Sequence, residues 1–312
     1  MSTKVATRQA YGETLVELGA ENENIVVLDA DLSQSTKTVM FAKRYPERFF
    51  DMGIAEQNMM ATAAGFAVAG KIPFASTFAM FATGRAFEQV RNSIAYSKVN
   101  VKIAATHSGI TVGEDGGSHQ TVEDIAIMRA IPNMSVWVPA DAPQTAAMIR
   151  AAVEYDGPVY IRLGRSGVPA VNSQDYKFNW DKIDVLQEGA DVTIFATGIM
   201  VAMALEAAET LKAEGIAANV VNVHTVKPLD RQGIIEQVKK TGAAVTAEEH
   251  NILGGMGSAV SEVVTEECPV PVIKVGIKDT FGESGKPAEL LEKYELTPAA
   301  IVKAVKKAID LK

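Results

Sequence analysis

The chain has 312 residues, enough for two domains of ordinary size, each able to bury a core. Hydrophobic residues at 47% and charged residues at 22% exclude a disordered or fibrous chain. A formal net charge of -8 leaves no basic surplus to neutralise a nucleic-acid backbone or anionic lipid, although it leaves room for a local pocket for one phosphate. The single cysteine, Cys268, excludes an internal disulfide and cannot build a thiolate metal site alone; we read it as a small buried apolar residue. The start MSTKVATRQA lacks the apolar core of a signal peptide, and the longest apolar stretch, residues 59–70, is too short to span a bilayer. The expected location is cytoplasmic.

An amphipathic pattern over residues 7–18 predicts a helix, and Ile25-Val26-Val27-Leu28 predicts a short buried strand. Further strands are expected at 73–75, 101–105, 135–138 and 159–161, with helices at 55–69, 84–96 and 142–153. From 166 to 187 the pattern breaks into polar, irregular sequence with Pro169, Asn172, Ser173, Asp175, Asn179 and Asp181. Beyond it, strands are expected at 192–196, 218–223, 243–246 and 272–275, and helices at 200–212, 230–239, 258–266 and 298–309. Apolar strands alternating with helices imply parallel sheets covered on both faces. The expected fold class is therefore α/β, with two consecutive domains, each a largely parallel sheet flanked by helices. The first spans residues 1–166, the linker 167–187 and the second 188–312.

The loop HSGITVGEDGGSHQ, residues 107–120, follows a predicted strand end. It carries His107, His119, the adjacent carboxylates Glu114 and Asp115, and four glycines. In a parallel sheet, ligands bind beyond the carboxyl ends of the strands, so a titratable, glycine-rich loop there is a site candidate. His107, Asp115 and His119 also suggest metal ligation, but no compact signature such as His-Glu-x-x-His accompanies them, and we assign no metal ligand. Glu56 opens a predicted helix, where the helix dipole favours a carboxylate in any case. The small apolar run behind it, residues 59–65, would also suit it to proton transfer; capping and chemistry both remain open. Gly254-Gly255-Met256-Gly257-Ser258 precedes a helix but lacks a P-loop lysine, and we read it as structural. Glu248-Glu249-His250 is expected in a strand-end loop without a chemical role.

Four motifs in order resemble the transketolases: Asp51-x-Gly53-Ile54-Ala55-Glu56-Gln57, Thr77-Phe78-Ala79-Met80-Phe81, the histidine loop, and Ile161-Arg162-Leu163-Gly164-Arg165. The similarity runs over nearly the whole chain and matches the pyrimidine-binding and C-terminal domains of that family. It implies a thiamine diphosphate enzyme that moves a two-carbon ketol unit from a ketose phosphate to an aldose phosphate through a cofactor carbanion, by default in pentose phosphate metabolism. By the same resemblance Glu56 meets the N1' atom of the aminopyrimidine ring, while Phe78 and Phe81 form the wall beside it and Asp31 lies near the cofactor. Asp115 and His119 match residues that contact the reacting hydroxyls, and His107, Arg8, Ser35 and Arg165 match the group that holds the sugar phosphate. Gly84 departs from the pattern, standing where single-chain relatives carry a third aromatic.

The sequence contains no Gly-Asp-Gly, the motif that in this family opens the site for the divalent cation and diphosphate. The resemblance thus implies a partner chain that supplies the diphosphate-binding domain and Mg2+ or another divalent cation, and an active site between chains in a heterotetramer of two plus two. The competing readings are the beta subunit of a 2-oxo-acid dehydrogenase, a deoxyxylulose-phosphate-synthase-like fragment, and a non-catalytic assembly partner. The histidine loop speaks against the dehydrogenase, and Glu56, Asp115 and His119 speak against a silent scaffold.

Overall fold

The computed structural model describes residues 4–312, so residues 1–3 of the expected first domain lie outside it. In chain order the strands are β1 (Val5–Ala6), β2 (Ile25–Asp29), β3 (Phe49–Asp51), β4 (Ile72–Phe78) and β5 (Lys102–Thr106). They continue as β6 (Ser135–Trp137), β7 (Val159–Arg162), β8 (Gly167–Val168), β9 (Asp184–Gln187) and β10 (Val192–Ala196). The last are β11 (Ala218–Asn222), β12 (Thr225–Lys227), β13 (Ala244–Asn251) and β14 (Val272–Ile277). Every residue of β2, β5, β7, β10 and β11 is buried, as expected of strands covered on both faces.

Seven strands form the first sheet in the order β12-β6-β7-β5-β4-β2-β3, and five form the second in the order β14-β13-β10-β11-β9. Each is parallel except for one antiparallel edge strand, β12 in the first and β9 in the second. The expected α/β architecture of largely parallel, helix-flanked sheets is therefore present. In register, Asp29, Ser76, Ala104 and Ile161 form one row across β2, β4, β5 and β7. The loops that follow these strands consequently leave the sheet along one edge.

One apolar cluster runs from Met59, Met60, Ile103 and Tyr160 of the first sheet's layers to Phe195, Val221, Met256 and Val260 of the second. A second cluster, with Tyr11, Leu15, Phe41, Phe74 and Trp137, covers the other face of the first sheet. Polar contacts reinforce the junction of the two sheets. Arg162 is buried and donates to Asp124 Oδ2 at 2.7 Å and Oδ1 at 3.1 Å, then reaches across to the carbonyl of Glu249 at 2.9 Å. Tyr160 donates to the same Asp124 carboxylate at 2.7 Å. The Arg162 charge opposes the burial that would otherwise raise the Asp124 carboxyl, and its value lies below the usual range. Among the described residues no helix is long and apolar enough to cross a membrane.

Several sequence expectations change. Residues 84–96 are not one α-helix but a π-helical turn over Phe81–Arg85, a short α-helix over Phe87–Gln89 and a second π-helix over Val90–Tyr96. Thr83 turns its hydroxyl back to the carbonyl of Ala79 at 2.8 Å and Gly84 favours helix weakly, both of which loosen the regular ladder. Glu248, Glu249 and His250 lie within β13 rather than in a loop. They are buried because each has an internal partner: Glu248 accepts from the amides of Met256 (2.7 Å) and Gly257 (2.8 Å), Glu249 from Thr111, and His250 from Ala126. Glu248 thereby occupies the start of the helix Met256–Glu267, which supports the structural reading of the glycine run there. The short helices Asp124–Ala130 and Pro287–Lys293 carry too little periodic pattern to have been predicted. Within the stretch 167–187, β8 pairs with β1 and β9 joins the second sheet. Cys268 is half-buried.

Candidate active site

The edge defined by the carboxyl ends of β2, β3, β4, β5 and β7 gathers most of the chemical residues. Ser35 follows β2, Glu56 follows β3, Phe78 ends β4, His107 follows β5 and Arg165 follows β7. These strands are neighbours in the sheet, so residues as far apart in sequence as Ser35 and Arg165 share one edge. That placement agrees with the general rule for ligands in open α/β sheets.

Glu56 is the first residue of the helix Glu56–Val68 and only 2% exposed. Its carboxylate takes no hydrogen bond from its own helix among the described residues. Instead Arg85 Nη1 donates to Oε1 at 2.8 Å, while Oε2 is buried without a partner. A buried carboxylate oxygen in that condition demands a donor, so the geometry favours a binding role over simple capping. The Arg85 guanidinium also lies over the Phe81 ring, 4.4 Å from its centroid. Phe81 runs nearly parallel to Phe78, with centroids 5.8 Å apart. At Gly84 the terminal methyl of Met80 lies 2.3 Å from where a Cβ would stand, so Met80 fills the space beside the departing glycine.

His107 continues this wall, stacking on Phe78 at 3.8 Å between centroids, and His119 meets Phe81 edge-on at 5.4 Å. The His107 backbone sits in the left-handed region, with φ 57°, which is uncommon without glycine and aims the ring at Phe78. Arg8 Nη1 donates to His107 Nε2 at 3.2 Å, so that nitrogen is an acceptor. Nδ1 then carries the proton and donates to Thr106 Oγ1 at 2.8 Å. Burial, then the charges of Arg8 and Arg165, push the imidazole down to about 3, and His119 and Lys37 act in the same direction. His119 Nδ1 lies 3.0 Å from Ser118 Oγ.

Cations converge beyond His107. Arg8 donates to the Ser35 carbonyl at 2.7 Å, and its Nε is buried without a partner. Burial and the charge of Arg165 both lower its value from that of a free guanidinium. Arg165 donates to the Val112 carbonyl and to Glu114 Oε2 at 3.2 Å. Lys37, whose charge also reaches His107, makes no ion pair among the described residues. The turn bearing Ser35 and Lys37 is held by Asp29, which accepts from Thr36 (2.7 Å), Thr38 (2.8 Å) and the Leu32 amide (2.7 Å). Burial pushes Asp29 up to about 6.

The structure thus joins Glu56, through Arg85, to Phe81, Phe78, His107, His119, Arg8 and Ser35 in one run of contacts, while Arg165 reaches Arg8 and His107 by its charge. It does not tie the side chains of Asp31 and Asp115 to that run; both are exposed on neighbouring loops. Arg85, Lys37 and Asp29 escaped the sequence reading. Asp29 carried a legible signal, an aspartate followed by Ser and Thr in a turn, but Arg85 and Lys37 look like ordinary surface cations until the fold places them.

The histidine loop is held from behind by the second sheet. The Thr111 amide donates to Glu249 Oε1 at 2.7 Å, and a Cβ on Gly109 would meet that carboxyl carbon at 2.2 Å, so the residue must be glycine at this approach. Gln120 Nε2 donates to the carbonyls of Ile110, Gly113 and Glu283.

A consequence is that His107 stays neutral across the working range. The imidazole resonances of the folded chain should show no His107 titration from pH 8 down to about 4, where an ordinary histidine titrates near 6.5. Because the unfolded chain binds the proton first, this group's contribution to stability is present above about pH 6.5 and declines as pH falls toward 3. A His107 titration near pH 6.5 would contradict this assignment.

Comparison with known proteins agrees with the geometry. Residues 3–170 match the transketolase pyrimidine-binding domain and residues 181–301 match the transketolase C-terminal domain. A transketolase C-terminal section from Methanocaldococcus jannaschii is 53% identical over 301 residues, covering 96% of this chain and 94% of that one. A 6-deoxy-6-sulfo-D-fructose transketolase subunit from a Clostridium species is 46% identical over 305 residues, covering 98% and 95%. Among solved structures, a split-gene transketolase described as an inactive beta4 tetramer superposes with a TM-score of 0.92 at 61% identity, covering 99% of this chain and all of that one. Two domain matches in family order and relatives that align end to end leave one conclusion: the chain belongs to the transketolase family, as a subunit bearing its pyrimidine-binding and C-terminal domains.

Proposed function

We propose that this chain is the pyrimidine-binding half of a two-chain active site that transfers a ketol unit between sugar phosphates. The observation that carries the reading is the unpartnered, buried Oε2 of Glu56, on a carboxylate that Arg85 ties to the Phe81 ring and so to the Phe78 and Phe81 wall. An aminopyrimidine ring with a protonated N1' would satisfy that oxygen and lie against an aromatic surface, so the residues present fit thiamine diphosphate. When bound, the cofactor supplies the nucleophilic carbon and the electron sink that cleavage next to a carbonyl requires.

The protein's own contributions follow from its geometry. Glu56 would accept a hydrogen bond from a protonated N1' and so favour that tautomer of the ring. Phe78 and Phe81 exclude water from its face. Arg8, Arg165 and Lys37 gather positive charge for a terminal phosphate, with the fork of a guanidinium suited to two phosphate oxygens. His107, protonated on Nδ1 and accepting from Arg8, orients that arginine rather than adding charge. His119, edge-on to Phe81, would contact substrate hydroxyls; for Asp115 the same role, and for Asp31 one near the cofactor, rest on the family resemblance, since both are exposed on neighbouring loops.

The cation and diphosphate belong to a second chain in this proposal, in an assembly of two plus two. The support is twofold: the sequence has no Gly-Asp-Gly, and a close structural relative is described as a split-gene transketolase that is inactive as a tetramer of its beta chain. Magnesium requires near-octahedral oxygen ligation beside phosphates, a demand the partner would meet. This reading divides the chain into a pyrimidine-binding domain at 1–166, a linker at 167–187 and a C-terminal domain at 188–312.

Glu56→Ala should lower turnover of the reconstituted enzyme at least about a hundredfold with circular dichroism and assembly unchanged. Near-normal turnover would remove Glu56 from the chemistry. Arg165→Ala should raise KM for a phosphorylated acceptor about tenfold to a hundredfold, the scale of a charge-assisted hydrogen bond, and leave an unphosphorylated acceptor nearly untouched. Equal losses for both acceptors would rule out the phosphate clamp.

A further inference from the structure

We infer that Arg85 is a positioning residue for Glu56, which determines the carboxylate oxygen that meets the cofactor ring; this rests on the proposed role of Glu56. The two residues lie on different elements, Glu56 at the start of the helix Glu56–Val68 and Arg85 at the end of the π-helical turn Phe81–Arg85. Arg85 Nη1 engages Oε1 at 2.8 Å and leaves Oε2 as the one oxygen of that carboxylate still lacking a donor. A carboxylate held at one oxygen cannot spin about its terminal torsion, which is otherwise broad. The free lone pairs are thereby aimed in a fixed direction.

The same guanidinium covers the Phe81 ring at 4.4 Å, so one planar cation couples the acceptor oxygen to the aromatic wall. Arg85 makes no other hydrogen bond among the described residues, and its side chain is 47% exposed. The chain therefore gives this arginine no competing hydrogen bond, and removing it leaves the buried Glu56 carboxylate without its one donor among the described residues. The π-helical turn explains how it gets there. Its wider spiral displaces the residues that follow, and turns of this kind are frequent at functional sites.

The test uses the enzyme reconstituted with its partner chain, thiamine diphosphate and magnesium. It reads two quantities apart from turnover: the exchange rate of the cofactor's thiazolium C2 proton with deuterium and the apparent affinity for thiamine diphosphate. Arg85→Ala should assemble normally, slow C2 exchange about tenfold or more and weaken cofactor affinity, since one charge-assisted contact has been lost. Arg85→Lys, which restores a point charge on Oε1 without the planar cover on Phe81, should recover part of the exchange rate. If Arg85→Ala fails to assemble, Arg85→Gln carries the same comparison with a side chain of similar reach.

Unchanged exchange in Arg85→Ala, or tighter cofactor binding, would overturn the inference; the latter would mean that Arg85 merely fills the ring's place. Glu56→Ala separates this failure from that of the underlying reading. Slow exchange in Glu56→Ala with normal exchange in Arg85→Ala rejects the Arg85 role alone, whereas normal exchange in both rejects the Glu56 role and this inference together.

Discussion

The active edge depends on a buried carboxylate that takes no part in the proposed chemistry. Glu249, from the second sheet, holds the Thr111 amide and presses against Gly109, and Arg162 binds its carbonyl while gripping Asp124. Removing one partner of the buried Arg162–Asp124 pair costs about 3–5 kcal/mol, because the other charge is left unpaired. The histidine loop is therefore no free surface loop. It is clamped between two sheets, and the strained His107 backbone persists because that clamp over-determines it.

From this constraint the electrostatics of the site follow. An acidic chain concentrates Arg8, Arg165 and Lys37 at one edge, and the histidine among them is kept neutral by burial and by those same cations. A neutral His107 can accept from Arg8, which an imidazolium could not do. At the other end, Glu56 is buried with one oxygen engaged and one free. The edge thus has a cationic end and an acceptor end, joined by the Phe78, Phe81, His107 and His119 rings. That polarity is what the proposed ketol transfer requires for a substrate with a phosphate at one end and its reacting carbon at the other.

Much of this was legible in the sequence, for identifiable reasons. The strands of both sheets are short apolar runs, and their buried burial pattern follows from helices on both faces. The motif residues Glu56, Phe78, Phe81, His107 and Arg165 lie at strand ends, where a parallel sheet puts its ligands. What was not legible depends on contacts between distant segments. Glu248, Glu249 and His250 read as loop because each is polar, and only partners 8, 138 and 124 positions away make their burial affordable. The π-helical turn over Phe81–Arg85 has the composition of a plain helix, so neither its geometry nor the reach of Arg85 to Glu56 could be anticipated. Asp115 and Asp31 show the opposite limit, since the motifs single them out and the fold leaves both exposed, with no side-chain hydrogen bond to the rest of the edge among the described residues.

The central claim is a shared active site, and the most direct measurement is transfer of a two-carbon unit from a ketose phosphate to an aldose phosphate with thiamine diphosphate and magnesium. The chain is assayed alone and then mixed with a chain that carries the diphosphate-binding domain. Activity only in the mixture is the expected result. Comparable activity from this chain alone would contradict the account, because it would place a cation and diphosphate site within these 312 residues.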